Sequence, residues 1–105
     1  MNIIVIKIHL ELPDLDKEDL WKKTIYTWAD ERFESGYTVY ETEGAWNGAK
    51  GRGFTIERYD QNLKLTEDRG FIKSLKELGK KLKQEEILLT TYTAESESVK
   101  MNYED

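Results

Sequence analysis

The amino-terminal segment alternates between apolar and polar side chains. Its even positions from Ile4 to Leu12 are all apolar, whereas its odd positions change along the segment from apolar to polar and include Lys7 and His9. A repeat of two is typical of a β-strand, because successive side chains point to opposite faces of a sheet. The pattern therefore predicts a central strand that stops at Pro13, since proline has no N–H to donate to a ladder.

Two later segments carry apolar residues at three- and four-residue spacings, which predicts two amphipathic helices. We expect the first helix to start at Asp14 or Asp16, whose carboxylates can accept hydrogen bonds from its first N–H groups, and to stop at Gly36. We expect Thr66 or Glu67 to cap the second helix. The apolar positions are Leu20, Trp21, Thr24, Ile25, Trp28, Ala29 and Phe33 in the first helix, and Phe71, Ile72, Leu75, Leu78 and Leu82 in the second.

Three further segments are rich in β-branched and aromatic residues, which predicts strands at 37–43, 54–59 and 87–92. The segment 44–53 between the first two is rich in glycine and predicts a hairpin with a long, flexible tip. Val99, Met101 and Tyr103 alternate with polar residues, which predicts one additional short edge strand at the carboxyl end.

The order strand, helix, strand, strand, helix, strand predicts a single α+β domain over residues 1–105. This is the ferredoxin-like split βαβ arrangement (βαββαβ), with both helices on one face of an antiparallel sheet. The other face should be polar in a monomer, yet its candidate residues are largely aromatic. Either these rings pack in the core, or a homo-oligomer or a ligand covers them. The candidates are Tyr37, Tyr40, Phe54, Tyr59 and Tyr92.

Composition narrows the classes of function. The 105 residues include 21 acidic and 16 basic side chains, which gives a net charge of −5, and there is no cysteine. An acidic chain is a poor partner for phosphates, so nucleic-acid binding is disfavoured. With no membrane-length apolar run and no secretory signal pattern, we expect a cytoplasmic protein without a membrane partner. His9 is the only histidine, so we predict no metal site, no catalytic triad and no cofactor.

Candidate binding residues lie in the glycine-rich segment and on the later strands. Trp46 has no obvious strand or helix face to join, so it either folds over the core or forms a wall of a ligand pocket. Lys50 and Arg52, with the backbone amides of the segment, could instead hold an anion. Carboxylates that strand pairing brings together can act as acid and base or bind a cation, or they can simply face Arg52, Arg58 or Lys64. These carboxylates are Glu41, Glu43, Glu57, Glu85 and Glu86, the last two beside Gln84.

A succession of residues resembles that of a family of small bacterial and phage proteins of unknown function. It consists of Arg32–Val39, Gly44–Trp46, Gly53 with Glu57, and Leu82–Leu88, and it covers roughly residues 28–92. The resemblance implies the same fold and a cluster of Trp46, Glu57, Gln84 and Glu85. The architecture is also similar to that of phage enzymes that degrade S-adenosylmethionine. Those enzymes resemble trimeric ferredoxin-like proteins and bind S-adenosylmethionine between subunits through acidic and amide side chains.

We therefore expect a homo-oligomeric domain that binds a small molecule or a protein partner. One alternative is an enzyme of the S-adenosylmethionine lyase type, in which an intramolecular displacement depends on positioning more than on a strong nucleophile. Another is an acidic decoy that occupies a nucleic-acid-binding protein, although the 16 basic residues dilute the negative face it requires. The candidate ligand-binding residues are Trp46, Arg52, Glu57, Gln84 and Glu85.

Overall fold

A computed structural model describes residues 2–13, 15–46, 48–60 and 68–102, and for residues 15 and 46 it describes the backbone alone. The strands are β1 (Asn2–Glu11), β2 (Thr38–Trp46), β3 (Ala49–Asp60) and β4 (Leu88–Glu95), and the helices are α1 (Glu18–Arg32) and α2 (Arg69–Lys81). The strand order is β2-β3-β1-β4 and all three pairings are antiparallel. This arrangement confirms the ferredoxin-like split βαβ fold.

The core lies between the helices and one face of the sheet. The even positions of β1 point into it, as the alternation predicts, and Ile6 and Ile8 are fully buried there beside Phe54 and Ile56 of β3. The two helices are joined by the indole N–H of Trp28, which donates to the carbonyl oxygen of Ser74 at 3.1 Å. Their buried apolar side chains are Trp21, Ile25, Trp28 and Ala29 in α1, and Phe71, Leu75 and Leu78 in α2.

Both helices begin differently from the prediction. Asp16 lies in a 3-10 turn (Leu15–Lys17), and α1 begins at Glu18 with Lys17 at the N-cap position, where its side chain forms no capping hydrogen bond. The acidic residues of its first turn favourably oppose the helix dipole without capping it. Asp68 caps α2, because its carboxylate accepts from the N–H groups of Gly70 and Phe71 at 2.9 and 3.2 Å. The predicted caps Asp14, Thr66 and Glu67 lie outside the described residues.

Helix α1 also ends earlier than predicted. Its last residue is Arg32, and the N–H of Phe33 still donates to Ala29. Gly36 has a φ of +107° and belongs to the turn that leads into β2. A positive φ favours glycine at this position, so the glycine signal marked the turn and not the helix end.

The prediction of a long flexible tip at residues 44–53 is wrong. The ladder between β2 and β3 runs from Thr38 paired with Glu57 to Trp46 paired with Ala49, and Gly44 and Gly51 are partners within it. Backbone hydrogen bonds require no side chain, so glycines can remain in a paired strand. Because β1 ends at Glu11, opposite Gly53, the pairs beyond that point project past the sheet. We call this two-stranded extension, residues 44–46 and 49–51, the arm.

The prediction of an additional carboxyl-terminal strand is also wrong for the residues of that segment that the structure describes. Residues 96–102 form no strand, and Val99 and Met101 are 73% and 70% exposed. Single apolar residues between polar ones bury too little area to offset the entropy lost on ordering a strand. Tyr103 lies outside the described residues. Neither helix in the described ranges has the length and apolar character that crossing a membrane requires.

Candidate functional site

Both described α-helices lie on one face of the sheet, and we call the other face the open face. Partners in an antiparallel ladder share a face, so the register assigns the odd positions of β1 and β3 to it together with the even positions of β2 and β4. Tyr40, Tyr59 and Tyr92 therefore lie on the open face, as predicted. Phe54 instead lies in the core, and Tyr37 packs beside α1, where its ring is 6.2 Å from that of Tyr26.

An open cleft of about 930 Å³ lies where the arm leaves the sheet. Its walls come from the end of β1, from the arm with the adjoining parts of β2 and β3, and from the connection between α2 and β4. The described lining residues include four glutamates, two lysines and one arginine. They are Glu11, Glu43, Glu85, Glu86, Lys50, Lys83 and Arg52, among small residues such as Gly44, Ala45, Ala49, Gly51 and Gly53.

Gln84 holds the connection between α2 and β4 against the end of β1. Its side-chain oxygen accepts from the N–H of Glu11 at 3.1 Å, and its amide nitrogen donates to the carbonyl oxygen of Glu11 at 2.8 Å. The same nitrogen donates to the carbonyl oxygen of Leu82 at 2.9 Å. Both hydrogens of the amide are thus committed to the backbone, so Gln84 positions the cleft wall rather than offering a donor to a ligand.

A left-handed residue places Gln84 in this position. Lys83 has a φ of +56°, and its N–H donates to Lys80 at 3.2 Å while that of Gln84 donates to Gly79 at 2.8 Å. These two bonds form a Schellman motif, in which glycine is the usual residue at the left-handed position. The lysine found there gave no sequence signal for the end of the helix.

Arg52 lines the cleft and is held there by two carboxylates. Its guanidinium forms ion pairs with Glu18 at 2.9 Å and with Glu41 at 3.1 Å. The pair with Glu41 is the arrangement expected if that strand glutamate simply faces Arg52. Arg58 differs, because it pairs with Asp60 at 3.3 Å and stacks 4.8 Å from the ring centre of Phe33 on the helix side. Lys64 lies outside the described residues.

Glu57 lies outside the cleft, on the open face opposite Lys7. It is four residues from Gly53 along β3, a separation of about 13 Å in an extended strand. A hydrogen bond to Glu57 raises the pKa of Tyr59, and a hydrogen bond to the Tyr40 phenol raises the pKa of Lys7. The Lys7 ammonium also lies 5.6 Å from the centre of the Tyr92 ring. These residues form a second polar group, apart from the cleft.

His9 links three strands at the border of the cleft. Its Nδ1 lies 3.2 Å from the Thr55 hydroxyl and its Nε2 lies 3.0 Å from the Thr90 hydroxyl. Both ring nitrogens are therefore engaged by neighbouring strands, which gives this histidine a structural role.

The structure thus brings Arg52, Gln84 and Glu85 to one cleft and separates Glu57 from them. The prediction for the Trp46 ring lies outside what the structure describes. Sequence reasoning did not select Glu11 or Lys83 as lining residues. Only the pairing register, which puts Glu11 opposite Gly53, could have indicated the first, and only the backbone conformation reveals the second.

No protein-family model and no curated protein sequence matches this chain. Solved structures do share its fold. A phage SAM lyase in complex with S-methyl-5′-thioadenosine is 19% identical over 93% of both chains, with a TM-score of 0.55. A phage SAM lyase in the apo state is 18% identical over 92% of both chains, with a TM-score of 0.49.

A putative antibiotic biosynthesis monooxygenase from Deinococcus radiodurans is 16% identical over 94% of this chain and 98% of its own, with a TM-score of 0.50. At these identities the likeness shows the fold alone. The architectural resemblance to phage SAM lyases is therefore supported, and the glycine-tryptophan family pattern stays a prediction.

Proposed function

We propose that this domain binds a small cationic molecule in the cleft between the arm, the end of β1 and the connection between α2 and β4. The observation that carries the proposal is the charge of the described lining. Arg52 is neutralised by Glu18 and Glu41, which leaves two lysines against the carboxylates of Glu11, Glu43, Glu85 and Glu86. A concave site with this balance favours a cation, and it also leaves ammonium groups for a carboxylate on the same ligand.

The size and surface of the cleft suit a ligand with a flat ring. Its volume lies within the range of ordinary small-molecule pockets. The glycines and alanines of the arm allow a planar group to approach the backbone closely. S-adenosylmethionine combines a sulfonium, an ammonium, a carboxylate and a purine. The likeness in fold to a phage SAM lyase supports choosing it as the first ligand to test.

Turnover of the same ligand is the second candidate. Thr42 is the only hydroxyl among the described lining residues, so a nucleophile is more readily supplied by the substrate itself. If the ligand's own carboxylate attacked the carbon of the amino-acid chain that is bonded to the sulfonium, a C–O bond would form and close a lactone. The C–S bond would break, and its electron pair would stay on sulfur in a neutral thioether. The cleft would then need only to fold the substrate and keep water away.

Calorimetric titration with S-adenosylmethionine and with S-adenosylhomocysteine tests the proposed ligand class. The second compound lacks the sulfonium charge, so we expect it to bind roughly tenfold more weakly beside the carboxylates. Glu43→Gln and Glu85→Gln should each weaken binding of S-adenosylmethionine, whereas Glu77→Gln on the exposed side of α2 is the matched control. Equal affinity for both compounds, or no binding of either, would contradict the proposal. Mass spectrometry of the incubated ligand separates binding from turnover.

A further inference from the structure

The open face carries apolar and aromatic side chains from all four strands, in rows on either side of a polar row. Val5 is only 2% exposed because it lies in one row with Tyr59 and Tyr92, which are themselves 59% and 44% exposed. In another row lie Tyr40, Thr55, His9 and Leu88, of which Leu88 is 66% exposed. Exposed apolar and aromatic side chains grouped on one sheet face mark an interaction site in a soluble protein.

The charged residues of the open face are arranged so that the face is complementary to a second copy of itself. Lys7 and Glu57 are cross-strand partners near its centre, and the row through them continues to Thr38 and Thr90. A two-fold axis that ran along the strands between β1 and β3 would exchange β1 with β3 and β2 with β4. Lys7 of each copy would then face Glu57 of the other. A two-fold interface requires this kind of self-complementarity.

The same two-fold axis also brings complementary side chains of the other rows together. Leu88 of one copy would face Tyr40 of the other, and Val5 would face Tyr59. Four strands about 4.8 Å apart, over a paired length of about 27 Å, give each copy roughly 500 Å² of flat face. Two copies would therefore bury about 1,000 Å² or more, which reaches the lower limit of specific interfaces.

We propose that the open face binds the open face of a second copy of this chain, with Lys7 and Glu57 paired across a two-fold axis. This proposal does not rest on the cleft or on its ligand. Exposed tyrosines on a sheet can also stack on the bases of single-stranded nucleic acid. The charge argues against that occupant, because Lys7 is balanced by Glu57 and the chain carries a net charge of −5.

Charge exchange tests the proposal in solution. Sedimentation at micromolar concentrations should show a particle of about twice the chain mass of 12.4 kDa. Lys7→Glu and Glu57→Lys should each sediment as a folded monomer, because like charges then face each other across the axis. The double variant Lys7→Glu/Glu57→Lys should restore the dimer. Circular dichroism of each variant distinguishes a folded monomer from an unfolded chain.

A second pair of variants keeps the test independent of the charged residues. Leu88→Glu should also give a folded monomer, because the carboxylate would be buried against Tyr40 of the other copy. Leu20→Glu, on an α1 residue that is 52% exposed, is the control and should remain dimeric. A monomeric wild type overturns the proposal, as does a Leu88→Glu variant that remains dimeric or a double variant that fails to reassociate. Binding of labelled single-stranded oligonucleotide by a monomeric wild type would assign the face to nucleic acid instead.

Discussion

The side-chain amide of Gln84 pairs with both backbone groups of Glu11 and so takes the place of a strand residue beside the end of β1. The last backbone pair between β1 and β4 joins His9 to Leu88, and the amide extends that edge by one further rung. This contact fixes the connection between α2 and β4 opposite the arm. The cleft therefore owes its shape to a residue whose polar atoms face the backbone.

Loss of this amide should lower stability. Each hydrogen bond contributes about 1 kcal/mol net, so Gln84→Ala should reduce the free energy of unfolding by about 1 to 2 kcal/mol in urea denaturation. Gln84→Glu should not restore it, because a carboxylate cannot donate to the carbonyl oxygen of Glu11. Glu85→Ala, at the neighbouring exposed position, is the control and should change stability by less than about 0.5 kcal/mol. Equal stability of Gln84→Ala and Glu85→Ala would show that the amide contributes nothing.

Replacement of Lys83 by glycine should stabilise the protein. The lysine has a φ of +56°, a conformation that costs a side chain about 1 kcal/mol or more. Part of this gain is offset by the greater freedom of glycine in the unfolded chain, so we expect about 0.5 kcal/mol. Lys76→Gly, on the exposed side of α2, should instead destabilise by about 1 kcal/mol. A loss of stability in Lys83→Gly would contradict a strained lysine at this position.

Gly53 should not tolerate a side chain. A Cβ at this position would lie 2.2 Å from the carbonyl oxygen of Leu10, which is backbone and cannot rotate away. Gly53→Ala should therefore cost about 3 kcal/mol, at the upper end of ordinary overpacking. Gly51→Ala is the matched control, because no atom lies within 4 Å of its added Cβ. Chemical denaturation of the two variants decides the matter, and similar midpoints would mean that β1 and β3 can separate at this point.

Stability should depend on the ionisation of Tyr37. Burial, followed by the hydrogen bond that its phenol donates to Asp30, raises the pKa of Tyr37 to about 12 from its usual 10.0. The unfolded chain therefore loses this proton first, and the free energy of unfolding should fall as pH rises from about 10 to 12. Tyr37→Phe should show a smaller fall over that interval in urea denaturation at several pH values. Identical pH profiles would exclude this contribution.

Local patterns predicted most of the fold but little of the site geometry. The alternation through Ile6 and Ile8 and the stripe through Leu75 and Leu78 depend on neighbours in sequence, and both elements formed as predicted. The glycine-rich segment misled the prediction. Judged from sequence alone, glycine indicates a turn. In this segment, pairing between the two strands keeps Gly44 and Gly51 extended.

The sequence by itself determined the order of the elements and which stripe of each one is apolar, because both follow from side-chain periodicity within a short window. Only the tertiary structure decided which polar side chains meet. Arg52 forms an ion pair with Glu18 of α1, and Gln84 hydrogen-bonds to the backbone of Glu11. Glu57 lies opposite Lys7 in the ladder between β1 and β3. Such pairings depend on strand register and on the left-handed turn at Lys83, which join residues far apart in the chain and leave no periodic trace in it.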